Sequence, residues 1–279
     1  MSLRPSDVQE WVNGMQAEGL SPSRIRQANI VLGLALQAAV RDGVIARNVA
    51  RGVRLPRIQR REAPALEPEQ VEAIAAKMDK PYNLLVRVLG TLGLRFGEAA
   101  ALRRRSVDLL GRRLVVTESL AEVGGALIFG TTKSHAVRRV PLTSSLAAAL
   151  EAHLDERVGA DPEALVFTSP RGMPLRYSNF RAGPWTDALE AAKLPPVGLH
   201  VLRHSAAAAL IRSGASPKAV QTVLGHASAA FTLTVYGHVF DADLDDVAAR
   251  LEASLAAHNA GPLRDRDGTA ASARGLRTV

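Results

Sequence analysis

The sequence predicts a mainly α protein in two parts, a small helical N-terminal unit and a larger α+β unit with a three-stranded antiparallel sheet. Three observations point there. Hydrophobic residues make up 47% of the chain and aromatic ones only 4%, so the cores are built from Ala, Leu and Val, a composition that favours helices over sheets. Helix starts with proline just inside the first turn recur, at Ser21-Pro22 and at Ser216-Pro217. The helical pattern is interrupted once, at residues 113–142, by short runs joined by tight turns. A chain of 279 residues is enough for two domains at ~150 residues each.

DVQEWVNGMQAEG predicts a first helix, and Ile25, Ile30, Leu32, Leu34, Ala38 and Val40 give the next one a broad apolar surface suited to a small bundle. Residues 1–53 therefore form a helical unit. Residues 54–65, RLPRIQRREAPA, hold four Arg and two Pro with few large apolar groups and read as a basic linker. From residue 66 helices resume in PEQVEAIAAKM, NLLVRVLGTLG and RFGEAAAL. Then RLVVTESL, a Gly124-Gly125 turn, ALIFG, the TTKSHA turn and VRRVPL read as three antiparallel strands. Helices follow in SSLAAALEAHL, TDALEAAK, LHVLRHSAAAALIRSG, PKAVQTVLG and DADLDDVAARLEASL, giving a second unit over residues 66–257. The last of these helices carries Leu244, Val247, Leu251 and Leu255 on one stripe. Residues 258–279 are rich in Gly, Arg, Asp and Ser without periodicity and read as a disordered tail.

Composition also narrows the chemistry. Cysteine is absent, which excludes disulfide scaffolds, Cys-ligated zinc, iron–sulfur clusters and thiol nucleophiles. The N-terminus has no signal-peptide layout, and no run approaches the ~18 apolar residues of a membrane span, so a soluble cytoplasmic protein with no membrane association is expected. The net charge of +8 is carried by 30 Arg against 5 Lys, and +5 of it lies in residues 1–65, where ten Arg face five acids. Guanidinium forks match phosphate oxygens two at a time. A clamp on a polyanion would use such a unit, with Arg54, Arg57, Arg60 and Arg61 of the linker as its phosphate-binding residues, and a solvated basic face is the alternative.

Polar groups stand in apolar surroundings at four places. Arg95, with Glu98 three residues on, is either a structural ion pair or an anion ligand oriented by that carboxylate. His200 and Arg203 share a helix face, with His204 one turn from His200. The His200/His204 pair has zinc-helix spacing but lacks the Glu that zinc hydrolases use, and an Arg beside a dication is repulsive, so no metal is expected. His226 follows a helix-closing Gly, and Tyr236 comes ten residues later. Lys133 sits at a hairpin tip.

In order, Arg95 within GLRFGEAAAL, Lys133 within TTKSHAVRRVPL, His200 and Arg203 within LHVLRHS, His226 within LGHAS and Tyr236 within TVYGHV resemble the active site of the tyrosine recombinase family, the phage integrase type in particular. The resemblance runs from about residue 3 to residue 257. It implies a helical core-binding domain in residues 1–53, N-terminally truncated because the family's domain starts a helix or more earlier, and a catalytic domain in residues 66–257. It also implies Tyr236 as nucleophile in a 3′-phosphotyrosine reaction on double-stranded DNA, with no cofactor. Arg95 and Arg203 would hold the phosphate, Lys133 would protonate the leaving oxygen, His200 would assist at the phenol, and His226 would bond the phosphate. Glu98 would fix Arg95, with His204 and His238 as supporting groups. A homotetramer on two DNA sites is implied, with the last helix docking onto a neighbour or else packing within its own chain, and an accessory DNA-bending or directionality factor is compatible.

Two other readings stand beside this one. SPKAVQTVLGHASAAFTLTVYG has the outline of a helix-turn-helix, as in a non-catalytic DNA-binding regulator. That leaves Arg95, Lys133 and the His-x-x-Arg face unexplained. A monomeric relaxing enzyme like the type IB topoisomerases would share the chemistry, but the small N-terminal unit argues against it.

Overall fold

The computed structural model describes residues 3–58, 65–132, 137–225, 228, 230, 232–234, 236, 237, 251, 252 and 256. The chain divides into two compact units, Met1–Glu62 and Ala63–Val279. Among the described residues no helix is long and apolar enough to cross a membrane.

In the first unit, α1 (Pro5–Ala17) and α2 (Pro22–Arg41) both start with proline in the first turn, where its missing N–H is no loss. Ser21 caps α2 by accepting from the Arg24 backbone N–H. Val12 and Met15 of α1 close on Ile25, and Val8 packs with Val49 and Ala50. The broad buried surface expected on α2 is narrower than its sequence suggests. Ile25 is its one fully buried residue, while Ile30 and Leu34 stand 60% and 67% exposed, because α1 covers only one face of the longer helix. The start of the expected linker is also held: Gln9 accepts from the Arg54 backbone N–H at 2.8 Å, and the Arg26 guanidinium donates to the Pro56 carbonyl. The arginine heads of residues 54 and 57 remain at the surface.

The second unit is built round α4 (Tyr82–Leu92), whose Leu85, Val86, Val88 and Leu89 are at most 2% exposed. It packs against α3 (Pro68–Ala75) and α9 (His200–Arg212). Gly90 permits the α3 contact, since a Cβ there would lie 2.6 Å from a Val71 methyl. After α4 the chain turns through Gly93 in the left-handed region (φ +66°) and enters the short α5 (Phe96–Ala100). Five strands follow: β1 (Val107–Asp108), β2 (Arg113–Val116), β3 (Glu118–Val123), β4 (Ala126–Thr131) and β5 (Arg138–Pro141). Then come α6 (Ser144–His153), α7 (Tyr177–Phe180), α8 (Thr186–Ala191), α9 and α10 (Pro217–Leu224).

A three-stranded antiparallel sheet is present, but with different members from those the sequence suggests. Its order is β1-β2-β5, and β3-β4 forms a separate two-stranded ribbon. RLVVTESL is not one strand. It breaks at Thr117, because Leu114 and Val116 turn into the core opposite Val140 and Arg138, whereas residues 118–123 leave that face to pair with β4 alone. The ribbon closes at Gly124-Gly125, both with positive φ (+56° and +80°), as a two-residue hairpin requires. The expected hairpin-tip lysine, Lys133, lies outside the described residues, as do His226, His238, Arg60, Arg61 and residues 258–279. Of the expected helix over 241–255, Leu251 and Glu252 are helical and the remainder lies outside the described residues.

Candidate active site

Arg95 is the N-cap of α5, two residues past the left-handed Gly93. Its backbone N–H donates to Glu98 Oε2 at 2.8 Å and its Nη1 donates to Glu98 Oε1 at 2.9 Å. The two readings of this pair therefore merge. Glu98 is 2% exposed, but the Arg95 side chain stays 32% exposed, so the carboxylate aims the guanidinium without swallowing it. Helix α5 lies tightly on β3 because residue 97 is glycine: a Cβ there would sit 2.5 Å from the Leu120 carbonyl oxygen.

Glu98 has a second cation that the sequence reading passed over. Arg138, 6% exposed, donates through Nη1 and Nη2 to the two Glu98 oxygens at 3.0 and 2.6 Å, and through Nε to the Val223 carbonyl at 3.0 Å. Burial works against charge on Glu98. The hydrogen bonds and positive charge of Arg138, with the backbone N–H and charge of Arg95, outweigh it and hold the carboxyl below its usual range. Strand alternation carried the missing signal: residues 138 and 140 share a face, and Val140 is fully buried.

Arg203, on α9, is 3% exposed. Its Nη1 donates to the Gly93 carbonyl at 2.7 Å, and its Nη2 is buried with no hydrogen-bond partner among the described residues. An orphaned guanidinium N–H in the interior is costly unless a ligand completes it. Burial first, and then the positive charge of Arg95, bring the Arg203 pKa down to about 10, which still leaves it charged at neutral pH. His200 opens the same helix at the surface. Loss of hydration against the protein, followed by the charges of His204, Arg203 and Arg95, lowers its pKa to about 4. The imidazole is neutral at pH 7.

Tyr236 is 5% exposed, its ring packed with Ala207, Ile211, Val220 and Leu224. Its hydroxyl is not lost in that hydrocarbon: it lies 3.0 Å from His204 Nδ1. The His204 ring in turn meets His200 edge-on, with centroids 4.9 Å apart. Thus α9 presents His200, Arg203 and His204 as one face, with Tyr236 turned onto it. The imidazole in contact with the phenol is His204, and His200, expected to assist proton transfer there, stands behind it against the His204 ring.

Two guanidinium groups, one with a buried N–H that has no partner among the described residues, thus lie near a tyrosine hydroxyl and two imidazoles. The Phage integrase family model matches residues 64–243, and this chain belongs to that family. It is 30% identical over 229 residues to the integrase of Mycobacterium phage FRAT1, covering 80% of this chain and 68% of that one. It is 29% identical to the integrase of Mycobacterium phage D29, covering 80% of this chain and 60% of that one. Tyrosine recombinase XerD of Pseudomonas aeruginosa is 30% identical over 225 residues, 76% of this chain and 69% of that one. The chain thus spans between 60% and 69% of the length of these relatives. In fold it is similar to the Tn1549 transposon integrase in complex with a circular intermediate DNA, with a TM-score of 0.74, 24% identity, and 90% and 85% of the two chains covered. It is also similar to a lambda integrase dimer bound to a COC′ core site, with a TM-score of 0.61, 19% identity, and 82% and 80% covered.

Proposed function

We propose that this chain is a site-specific DNA recombinase of the integrase type, cleaving and rejoining double-stranded DNA through a 3′-phosphotyrosine intermediate. The observation that carries the reading is the Tyr236 hydroxyl turned onto the α9 face where Arg203 holds an unused, buried N–H.

The phenol oxygen of Tyr236 attacks the scissile phosphorus. The bond to the 5′ oxygen breaks, and the phosphodiester energy is kept in the new Tyr–phosphate ester. The transition state gathers negative charge on the nonbridging oxygens, so fixed cations supply the main stabilisation. Arg203, with one N–H on Gly93 and another unused, and Arg95, held through a single side-chain N–H, are the groups to provide it. A tyrosine has an ordinary pKa of ~10, so its proton must leave during attack. His204, in hydrogen-bond contact, orients the hydroxyl, and the neutral His200 at the mouth of the site is available for the proton. An anionic phosphate raises the basicity of His200 by offsetting the cations around it. Lys133 gives a proton to the departing 5′ oxygen, and His226 hydrogen-bonds the phosphate. The exposed Arg54 and Arg57, with Arg60 and Arg61, grip the DNA backbone, and the working assembly is a homotetramer on two sites, aided where needed by a DNA-bending or directionality factor.

The test is a nicked DNA substrate that traps the covalent intermediate, in EDTA. Wild type should accumulate the adduct and Tyr236→Phe should not. That substitution removes the hydroxyl that meets His204 and keeps the ring packed against Ala207, Ile211, Val220 and Leu224, so the fold should survive, at a cost of ~1 kcal/mol for each hydrogen bond lost. Adduct formation that survives Tyr236→Phe overturns the assignment.

A further inference from the structure

We infer that Arg138 is a positioning residue for the reaction, acting by filling Glu98 so that Arg95 keeps most of its guanidinium for the phosphate. The inference rests on the recombinase reading above.

The argument is one of valence. A carboxylate offers about four acceptor positions. On Glu98 they go to the Arg95 backbone N–H, Arg95 Nη1, Arg138 Nη1 and Arg138 Nη2. The carboxylate is full. Arg95 therefore bonds it through one side-chain nitrogen, and Nε and Nη2 of Arg95 make no hydrogen bond among the described residues. Without Arg138, a carboxylate 2% exposed would retain one cation only, and its best geometry would be a bidentate fork with Arg95. That would draw the Arg95 head inward, away from the substrate.

Arg138 has a second reach. Its Nε holds the Val223 carbonyl in the last turn of α10. The left-handed turn at Gly225 (φ +69°) lies directly on the same guanidinium, since a Cβ there would meet Arg138 Nη1 at 3.1 Å. Residue 225 immediately precedes His226, and Arg138 itself opens β5, five residues beyond Lys133. One buried guanidinium thus ties Glu98, which holds Arg95, to the end of α10 at Val223 and Gly225, and that anchor keeps it in place on the carboxylate. An apolar residue would pack on this face of the sheet as Val140 does, and buried ion pairs add little to stability over a hydrophobic replacement. The position of Arg95, rather than stability, is what the pair secures.

The experiment is single-turnover cleavage of the nicked DNA by the full chain, with DNA affinity and thermal melting measured on the same samples. Arg138→Lys keeps the charge but cannot fill both Glu98 oxygens and the Val223 carbonyl together. It should cleave about ten- to a hundredfold more slowly, the range for groups that orient a reacting residue, with DNA affinity within about twofold. In an Arg95→Ala background the same change should cost nothing further, because its effect passes through Arg95. A paired Glu98→Gln/Arg138→Gln variant, which leaves no unpaired buried charge, should fold and still cleave slowly. Wild-type rates for Arg138→Lys or for the paired variant, or an undiminished loss in the Arg95→Ala background, would overturn the inference while leaving the recombinase reading intact. Failure of the wild type to form an adduct would sink both.

Discussion

Arg203 donates to the carbonyl oxygen of Gly93 at 2.7 Å across 110 residues of sequence, and Gly93 stands two residues before Arg95. A single glycine carbonyl therefore sets one guanidinium and, through a short rigid turn, the backbone of the other. Gly93 is left-handed (φ +66°), and a Cβ at this position would collide with Leu224 and press on Ala206 of α9. The two phosphate-binding candidates are registered by backbone geometry that only glycine adopts without strain.

Gly93→Ala should for this reason damage both fold and activity. Left-handed strain and overpacking each cost ~1–3 kcal/mol, which should appear as a lower urea midpoint. Cleavage should fall further than stability alone explains, because the carbonyl that holds Arg203 moves. A variant with the wild-type midpoint and rate would show that the turn is not what registers the arginines.

His200, with its pKa lowered to about 4, should be neutral in the free protein throughout the physiological range. An NMR titration of the ring checks this directly. The sign of the linkage follows from the direction of the shift. The unfolded chain takes up this proton near pH ~6.5 and the folded chain only near 4, so this group's contribution to stability is full above the higher value and falls as pH drops between the two. Binding of uncleaved DNA by Tyr236→Phe should raise the His200 pKa, since a phosphate offsets Arg203 and Arg95. An unmoved titration in the complex would place the phosphate elsewhere.

Lys133→Ala tests the remaining proton. Cleavage of ordinary DNA should slow by about a hundredfold or more, as loss of a general acid does. Replacing the 5′-bridging oxygen with sulfur should restore most of the rate, because a thiolate leaves without a proton. Equal impairment on both substrates would deny Lys133 the acid role. Wild-type DNA affinity should meanwhile weaken steeply with added salt, as phosphate contacts release counterions.

Much of this molecule was legible in its sequence because the signals are local. Ser21 and Ser216 cap helices within three residues of themselves, and Gly124-Gly125 closes its hairpin where two glycines demand a tight turn. Arg95 and Glu98 meet because a residue before a helix and one in its first turn are neighbours by construction. His200, Arg203 and His204 share a face by helical repeat alone.

What tertiary structure decided are the relations between segments distant along the chain. Helical spacing places both His200 and His204 on the tyrosine-facing side of α9, and the packing of Tyr236 against Ala207, Ile211, Val220 and Leu224 selects His204 as the one its hydroxyl meets. Arg138 looked like one more arginine in an arginine-rich chain until strand pairing turned it inward onto a buried carboxylate 40 residues away. The split of RLVVTESL and the bare Ile30–Leu34 side of α2 have the same origin. Sequence fixes which way a side chain leaves its own helix or strand, through the periods 3.6 and 2. Which partner waits on that side, and whether any does, depends on how the elements close on one another, and burial is then what turns a shared face into a site.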